Sequence, residues 1–282
     1  MIGRIGYRMA GVVVAAMLVS GCETIGGLFD SDEVPIEDRS AREIFDQAEA
    51  QLADGNAEEA AKTFDEVERL YPFSQLAKRA TINSAFASYQ AGDMPAARAA
   101  AGRYLDLYPS DVDAPYAQYL IGLTYYDNIA DVRRDQATTR SALDEFTELV
   151  QRYPDSDFAR DARLKIDLTL NHIAGKEMTV GRYYLKRGHY MAAANRFRVV
   201  LEQYQTTAHT PEALHRLVET YLSLGLDGEA QTSAAVLGEN FVGSEWYAAS
   251  YALLEGKDLR PERHDSDFFD RVFRRVIRGD WL

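Results

Sequence analysis

Gly55-Asn56-Ala57-Glu58-Glu59-Ala60-Ala61-Lys62-Thr63-Phe64-Asp65-Glu66-Val67-Glu68-Arg69-Leu70-Tyr71-Pro72 decides the fold, because its order of turn glycine, small residue, aromatic and proline returns four times downstream. Gly55 supplies a left-handed turn that ends one helix. Ala60 is small enough for two helices to cross closely, and Phe64 and Val67 extend a buried face at helical spacing. Pro72 stops the second helix, since it lacks the N–H and clashes with the preceding turn. In the same register the later copies are Gly92, Ala97, Ala101, Tyr104, Tyr108-Pro109; Ala142, Phe146, Leu149, Tyr153-Pro154; Gly188, Ala193, Phe197, Val200, Tyr204; and Gly225, Ala230, Ala234, Leu237, Phe241. Small or compact residues also recur seven positions before the turn glycine, at Ala48, Ala85, Gly181 and Val218.

The terminal aromatics fall at 71, 108, 153, 204 and 241. That is a tetratricopeptide period of about 34 residues with linking residues added and insertions in the middle. The expected fold is all-α: a right-handed superhelical solenoid of five tetratricopeptide repeats, about ten repeat helices, followed by C-terminal helices. The repeats are placed at about 40–74, 75–110, 115–156, 174–208 and 211–244, within a solenoid of 40–245. Ser40 with Glu43 fits a capping box opening the first helix. Asp127 to Arg140 is an insertion, expected as an edge loop that is either solvated or a partner contact through Arg133, Arg134 and Arg140. From Phe158 to Arg187 the apolar spacing predicts one long helix, or two nearly coaxial ones meeting near Gly175. Within 246–282, Trp246, Tyr247 and Tyr251 suggest a capping helix and Pro261 breaks the chain. Asp267 then opens an amphipathic helix with Phe269, Val272, Phe273, Val276 and Ile277 on one face and Arg271, Arg274, Arg275 and Arg278 on the other.

The first 21 residues, with Arg4 and Arg8 ahead of an apolar core from Met9 to Val19, read as a secretory signal too short to be a comfortable membrane span. Val19-Ser20-Gly21-Cys22 resembles the bacterial lipobox, and Cys22 is the only cysteine in the chain. The resemblance implies cleavage before Cys22 and a covalent diacylglycerol and N-acyl lipid on it, with no other cofactor and no metal. Glu23, where Asp marks inner-membrane retention in such lipoproteins, implies the outer membrane. Residues 22–39 read as a lipidated flexible tether. Loss of Arg4 and Arg8 takes the net charge from −13 to −15, a poor footprint for nucleic acid. Neither a hydrolase elbow, a phosphate-binding glycine loop nor a metalloprotease histidine pair is present, and the five histidines lack metal-ligand spacing. The sequence gives no basis for an enzyme.

The run from Glu177 to Phe197, with Gly181-Arg182-Tyr183-Tyr184 and Arg187-Gly188-His189-Tyr190, resembles the fourth repeat of the BamD family, and Glu212 to Gly225 resembles the opening of its fifth. With the Tyr-Pro dipeptides and the lipobox, the likeness extends from Cys22 to about Tyr247. It implies a non-enzymatic lipoprotein on the periplasmic face of the outer membrane of a Gram-negative bacterium. In the β-barrel assembly machine it would bind the POTRA domains of a BamA-like barrel protein through its C-terminal repeats. It would receive unfolded barrel substrates on its N-terminal repeats, alongside other assembly-machine lipoproteins. Other envelope adaptors with such repeats, pilotins or cell-division coordinators, form an alternative class; enzymes on helical superstructures, such as soluble lytic transglycosylases, need a further domain for which the chain has no room.

Repeat geometry suggests where contacts would lie. The first helix of each pair is expected to line the concave side, exposing positions six and ten before the turn glycine. Phe45, Ile82, Phe86, Tyr89 and Tyr119 are the candidate substrate groove, or else packing against the next repeat. In the fourth repeat the same positions are Arg182 and Met178, with Lys186 one turn on and Arg196 on the second helix. His215 and Glu219 continue that face as candidate partner contacts, arginine being suited to pairing with a partner carboxylate.

Overall fold

The computed structural model describes residues 35–264 and Phe268. After a 3-10 turn at Ile36–Asp38, the described residues form eleven α-helices and no strand. These are α1 Ala41–Ala53, α2 Ala57–Leu70, α3 Gln75–Gln90, α4 Met94–Leu107, α5 Ala114–Tyr126, α6 Ala137–Arg152, α7 Asp157–Lys186, α8 Tyr190–Gln203, α9 Thr210–Leu224, α10 Asp227–Phe241 and α11 Glu245–Glu255. The expected leader 1–21, Cys22, most of the tether, and the amphipathic stretch from Asp267 onward, apart from Phe268, lie outside the described residues.

Local chemistry sets the helix ends. Ser40 and Glu43 form the expected capping box at α1, and Ser74, Ser156 and Ser244 cap α3, α7 and α11 through their side-chain oxygens. Gly55, Gly92, Gly188 and Gly225 adopt φ of 83°, 81°, 74° and 73° in the turns α1–α2, α3–α4, α7–α8 and α9–α10. An L side chain there is strained, so the recurring glycine is a backbone requirement. The third pair, α5–α6, is joined instead by residues 127–136. Ala137 to Arg140 of the expected insertion are the first turn of α6.

Each helix packs on the next, and first helices also touch one another: α1 with α3, α3 with α5, α5 with α7, α7 with α9 and α9 with α11. Among the described residues the second helices make no comparable contact with one another. First helices therefore lie on the inner side of a helical solenoid.

The long segment is a single helix. α7 runs for 30 residues, about 45 Å at 1.5 Å per residue, and it joins two cores. Ala162 packs with Ala142, Phe146 and Leu149, whereas Ala174 and Met178 belong to one continuous core that runs through α8–α11 to Phe268. Gly175 breaks nothing. A Cβ there would lie 3.2 Å from His209 Nε2 and 3.4 Å from Val132 Cγ2; the glycine is the seat on which the insertion and the α8–α9 connection close. Lys176 Nζ donates to the Arg133 carbonyl at 2.7 Å. The insertion is thus docked on its own long helix, with the Arg133, Arg134 and Arg140 side chains outward.

α11 caps the last pair as expected, burying Ser250 and Leu254. The chain then crosses α10, where the His264 N–H donates to Thr232 Oγ1 at 3.0 Å, and Phe268 is buried beneath the Arg198 guanidinium, 4.0 Å from the ring centroid.

Candidate functional site

Two surfaces gather the expected contact residues: the inner face, and the outside of the α7–α8 turn. On the inner face, the position ten before the turn glycine is core. Phe45 is fully buried in edge-to-face contact with Phe64, ring centroids 5.4 Å apart. Ile82, Met178 and His215, in the same register, are buried too, so neither Phe45 nor Ile82 belongs to an open groove and His215 is no surface contact. The cause is helical phase. Four residues advance about 400° at 3.6 residues per turn, so positions ten and six before the glycine differ by about 40°, and the earlier one turns into the packing seam. Phe86 and Tyr89 remain half-buried against the core of the second and third pairs. The Tyr89 hydroxyl donates to Asp127; burial first, then that carboxylate, push the phenol up to about 12. Tyr119 is half-buried, its ring between Phe146 and Phe158 and its hydroxyl bonded to Asp161.

Further along, the inner face becomes a charge ladder. One guanidinium nitrogen of Arg182 on α7 lies 2.9 and 2.8 Å from the two Glu212 oxygens on α9. Arg216 donates through Nε to Glu212 at 3.3 Å and through Nη1 to Glu219 at 2.7 Å. Glu219 Oε1 stands 3.7 Å from His215 Nε2. The other imidazole nitrogen of His215 bonds Ser250 Oγ at 2.9 Å, Trp246 packs on the ring at 5.3 Å, and the Arg216 guanidinium stands 5.4 Å from the Trp246 ring. Burial pushes the His215 imidazole below its ordinary value, with Glu219 opposing and Arg216 assisting. Arg182, His215 and Glu219 are therefore brought together, but through Glu212 and Arg216, which sequence reasoning did not single out. The signal was available: Glu212, Arg216 and Glu219 sit at i, i+4 and i+7 on one helix.

The outside of the α7–α8 turn is different. Arg196 on α8 is held by Glu177 of α7 at 2.9 Å, while Lys186 in the last turn of α7 is exposed. Beside Arg196 is a hollow of about 250 Å³ lined by Tyr184, Ala192, Asn195 and Val199. A second, of about 480 Å³, shares Tyr184 and Ala192 and reaches Met191 and Leu224. Met191 is 61% exposed at its mouth. The result is a largely apolar socket with one oriented cation at its edge, suited to an apolar side chain next to a carboxylate. Among the described residues no group of His, Cys, Asp and Glu could hold a metal ion, and no helix is long and apolar enough to cross a membrane.

Comparison with known proteins follows the same lines. The YfiO family, described as an outer membrane lipoprotein, matches residues 37–237. The chain is similar to the outer membrane protein assembly factor BamD of Caulobacter vibrioides, 44% identical over 92% of this chain and 84% of that protein. It is similar to those of Rickettsia prowazekii, 35% identical over 88% and 96%, and Neisseria meningitidis, 33% identical over 81% and 89%.

Proposed function

The chain belongs to the BamD family of outer membrane protein assembly factors, and from that premise we propose that it is a non-enzymatic scaffold, lipidated at Cys22 and held on the periplasmic face of the outer membrane, which docks a BamA-like barrel protein through its POTRA domains. The observation that carries the docking is the socket at the α7–α8 turn. Arg196 is pinned by a Glu177 carboxylate that is 13% exposed, so its position is set before a partner arrives, and little side-chain freedom remains to be lost on binding. Tyr184, Met191 and Leu224 supply the apolar contact beside it.

Unfolded barrel strands would meet the other end of the inner face, where Phe86 and Tyr89 offer half-exposed aromatic surface between the acidic Glu49 and the ladder that starts at Arg182. Alternate apolar side chains of an extended strand fit such a surface.

The test is affinity purification of the native lipoprotein in mild detergent with mass spectrometry of what comes with it, for the native chain and for Arg196→Glu. Recovery of a POTRA-bearing barrel protein at near-equal amounts, reduced about tenfold or more by the reversal as expected for a partly buried charge pair, supports the assignment. Recovery of secretin, pilus or division proteins instead overturns it.

A further inference from the structure

In the first three helix pairs the turns fall on two edges. The Gly55 and Gly92 turns and residues 127–136 lie on one; the connections after Tyr71, Tyr108 and Tyr153 lie on the other, where the chain also enters α1. Side chains tie this second edge together. The Tyr71 hydroxyl donates to the Arg39 carbonyl just before α1, Lys78 reaches Asp111 in the next connection at 2.5 Å, and Tyr153 bonds Pro109 at 2.9 Å.

Phe73 stands at the tip of the first of these connections and is 101% exposed. Nothing in its own pair covers it, and it packs in no core. Its surroundings are unusual for so acidic a chain: from Arg69 to Arg79 there are three cations and no carboxylate. Arg69 is paired with Glu66, Lys78 with Asp111 and Arg79 with Glu49, so the tip is close to neutral. The later connections carry Asp111 and Asp113, or Asp155. Next along the same edge, Val112 is 83% exposed but flanked by those aspartates.

The anchor leaves from this edge. Cys22 precedes Arg39 by seventeen residues, and a chain of that length reaches at most about 60 Å when fully extended. A surface held that near the bilayer meets it at high effective concentration, so one apolar side chain suffices where it would fail alone.

We propose that the Tyr71–Ser74 connection is a lipid-contacting tip, with Phe73 entering the headgroup region of the leaflet that holds the Cys22 acyl chains. The solenoid is then oriented by two points, the anchor and the tip. This rests on the lipoprotein reading above, and the test separates the two.

Phe73→Cys and, beyond the far end of α7, Met191→Cys are each labelled with an environment-sensitive NBD thiol probe in the full-length lipidated protein, in which the thioether-linked diacylglycerol blocks the sulfur of Cys22, the only native cysteine. Both are reconstituted on vesicles of phosphatidylethanolamine with a minority of phosphatidylglycerol. Co-flotation with the vesicles reports the anchor. A blue-shifted emission at 73, quenched by doxyl lipids, with an unchanged, unquenched probe at 191, supports the tip. Co-flotation with a water-like probe at 73, or with equal quenching at both positions, overturns the tip and leaves the anchor standing. Failure to float overturns the anchor, and the tip with it. Because the Phe73 side chain is fully exposed, its replacement leaves the fold intact.

Discussion

Tyr153 donates its phenolic hydrogen to the backbone carbonyl of Pro109, 2.9 Å away and forty-four residues earlier in the chain. Tyr71 makes the same kind of bond to the Arg39 carbonyl. At Tyr71-Pro72 and Tyr153-Pro154 the dipeptide thus has two jobs: proline ends the second helix of a pair, and tyrosine fastens that end to the chain just before that pair. Tyr153→Phe removes one such bond at an exposed site, and a loss of about 0.5–1 kcal/mol is expected. Chemical denaturation of Tyr71→Phe, Tyr153→Phe and the double variant checks it. The two latches are distant, so their effects should add; no change in either single variant would show that the latches contribute nothing.

Gly181 faces the ring of Phe197, and a Cβ there would lie 2.4 Å from Phe197 Cε1. Phe197 is fully buried and cannot swing away. Gly181→Ala is expected to destabilise by about 1–3 kcal/mol through overpacking, despite the better helix propensity of alanine. Phe197→Leu in the same chain should recover part of the loss. A thermal midpoint unchanged or raised by Gly181→Ala alone would contradict the contact.

Acid should loosen the C-terminal end. Burial lowers the folded pKa of His215 from 6.5, and that of His209 in the same direction. Below the unfolded value, the unfolded chain takes up a proton that the folded chain resists. Stability is therefore full above about pH 6.5 and falls as the pH drops from there towards the folded pKa. His215→Gln should flatten this slope, followed by urea midpoints and by the fluorescence of Trp246, which packs on the imidazole. An identical slope in the variant would remove His215 from the effect.

Glu212 is shared by Arg182 and Arg216 and its side chain is 13% exposed. Glu212→Ala leaves two guanidinium groups facing each other and should cost about 2 kcal/mol. Arg182→Ala, which leaves Glu212 still bonded to Arg216, should cost less. In the double variant the losses should fall short of additive. Strict additivity in denaturation would mean that the ladder is a row of independent surface pairs.

The fold was legible because its signals are backbone signals. Gly55, Gly92, Gly188 and Gly225 mark turns that need positive φ, and Pro72, Pro109 and Pro154 mark ends that nothing else would give. Aromatic and small residues then fix which faces meet. The surfaces were less legible, since exposure depends on the phase of a helix to within about 40°. Phe45 and Ile82 look like groove residues in a repeat register and are core residues in space. His215 belongs to the same row, and its burial follows from Ser250 and Trp246 of α11, contacts that no local pattern encodes. Arg182, expected to meet a partner's carboxylate, meets Glu212 on α9 of the same chain.

α7 has one further consequence. Because Ala162 is packed in one core and Ala174 in the next, with unbroken helix between them, the two halves of the molecule share an axle and have no loop for a joint. Val132 and His209 close on Gly175 like a collar around its middle. From the α7–α8 turn the helix runs unbroken to Phe158, whose ring packs on Tyr116 and Tyr119 of α5, so the docking end and the aromatic end are joined by a rod and not by a linker.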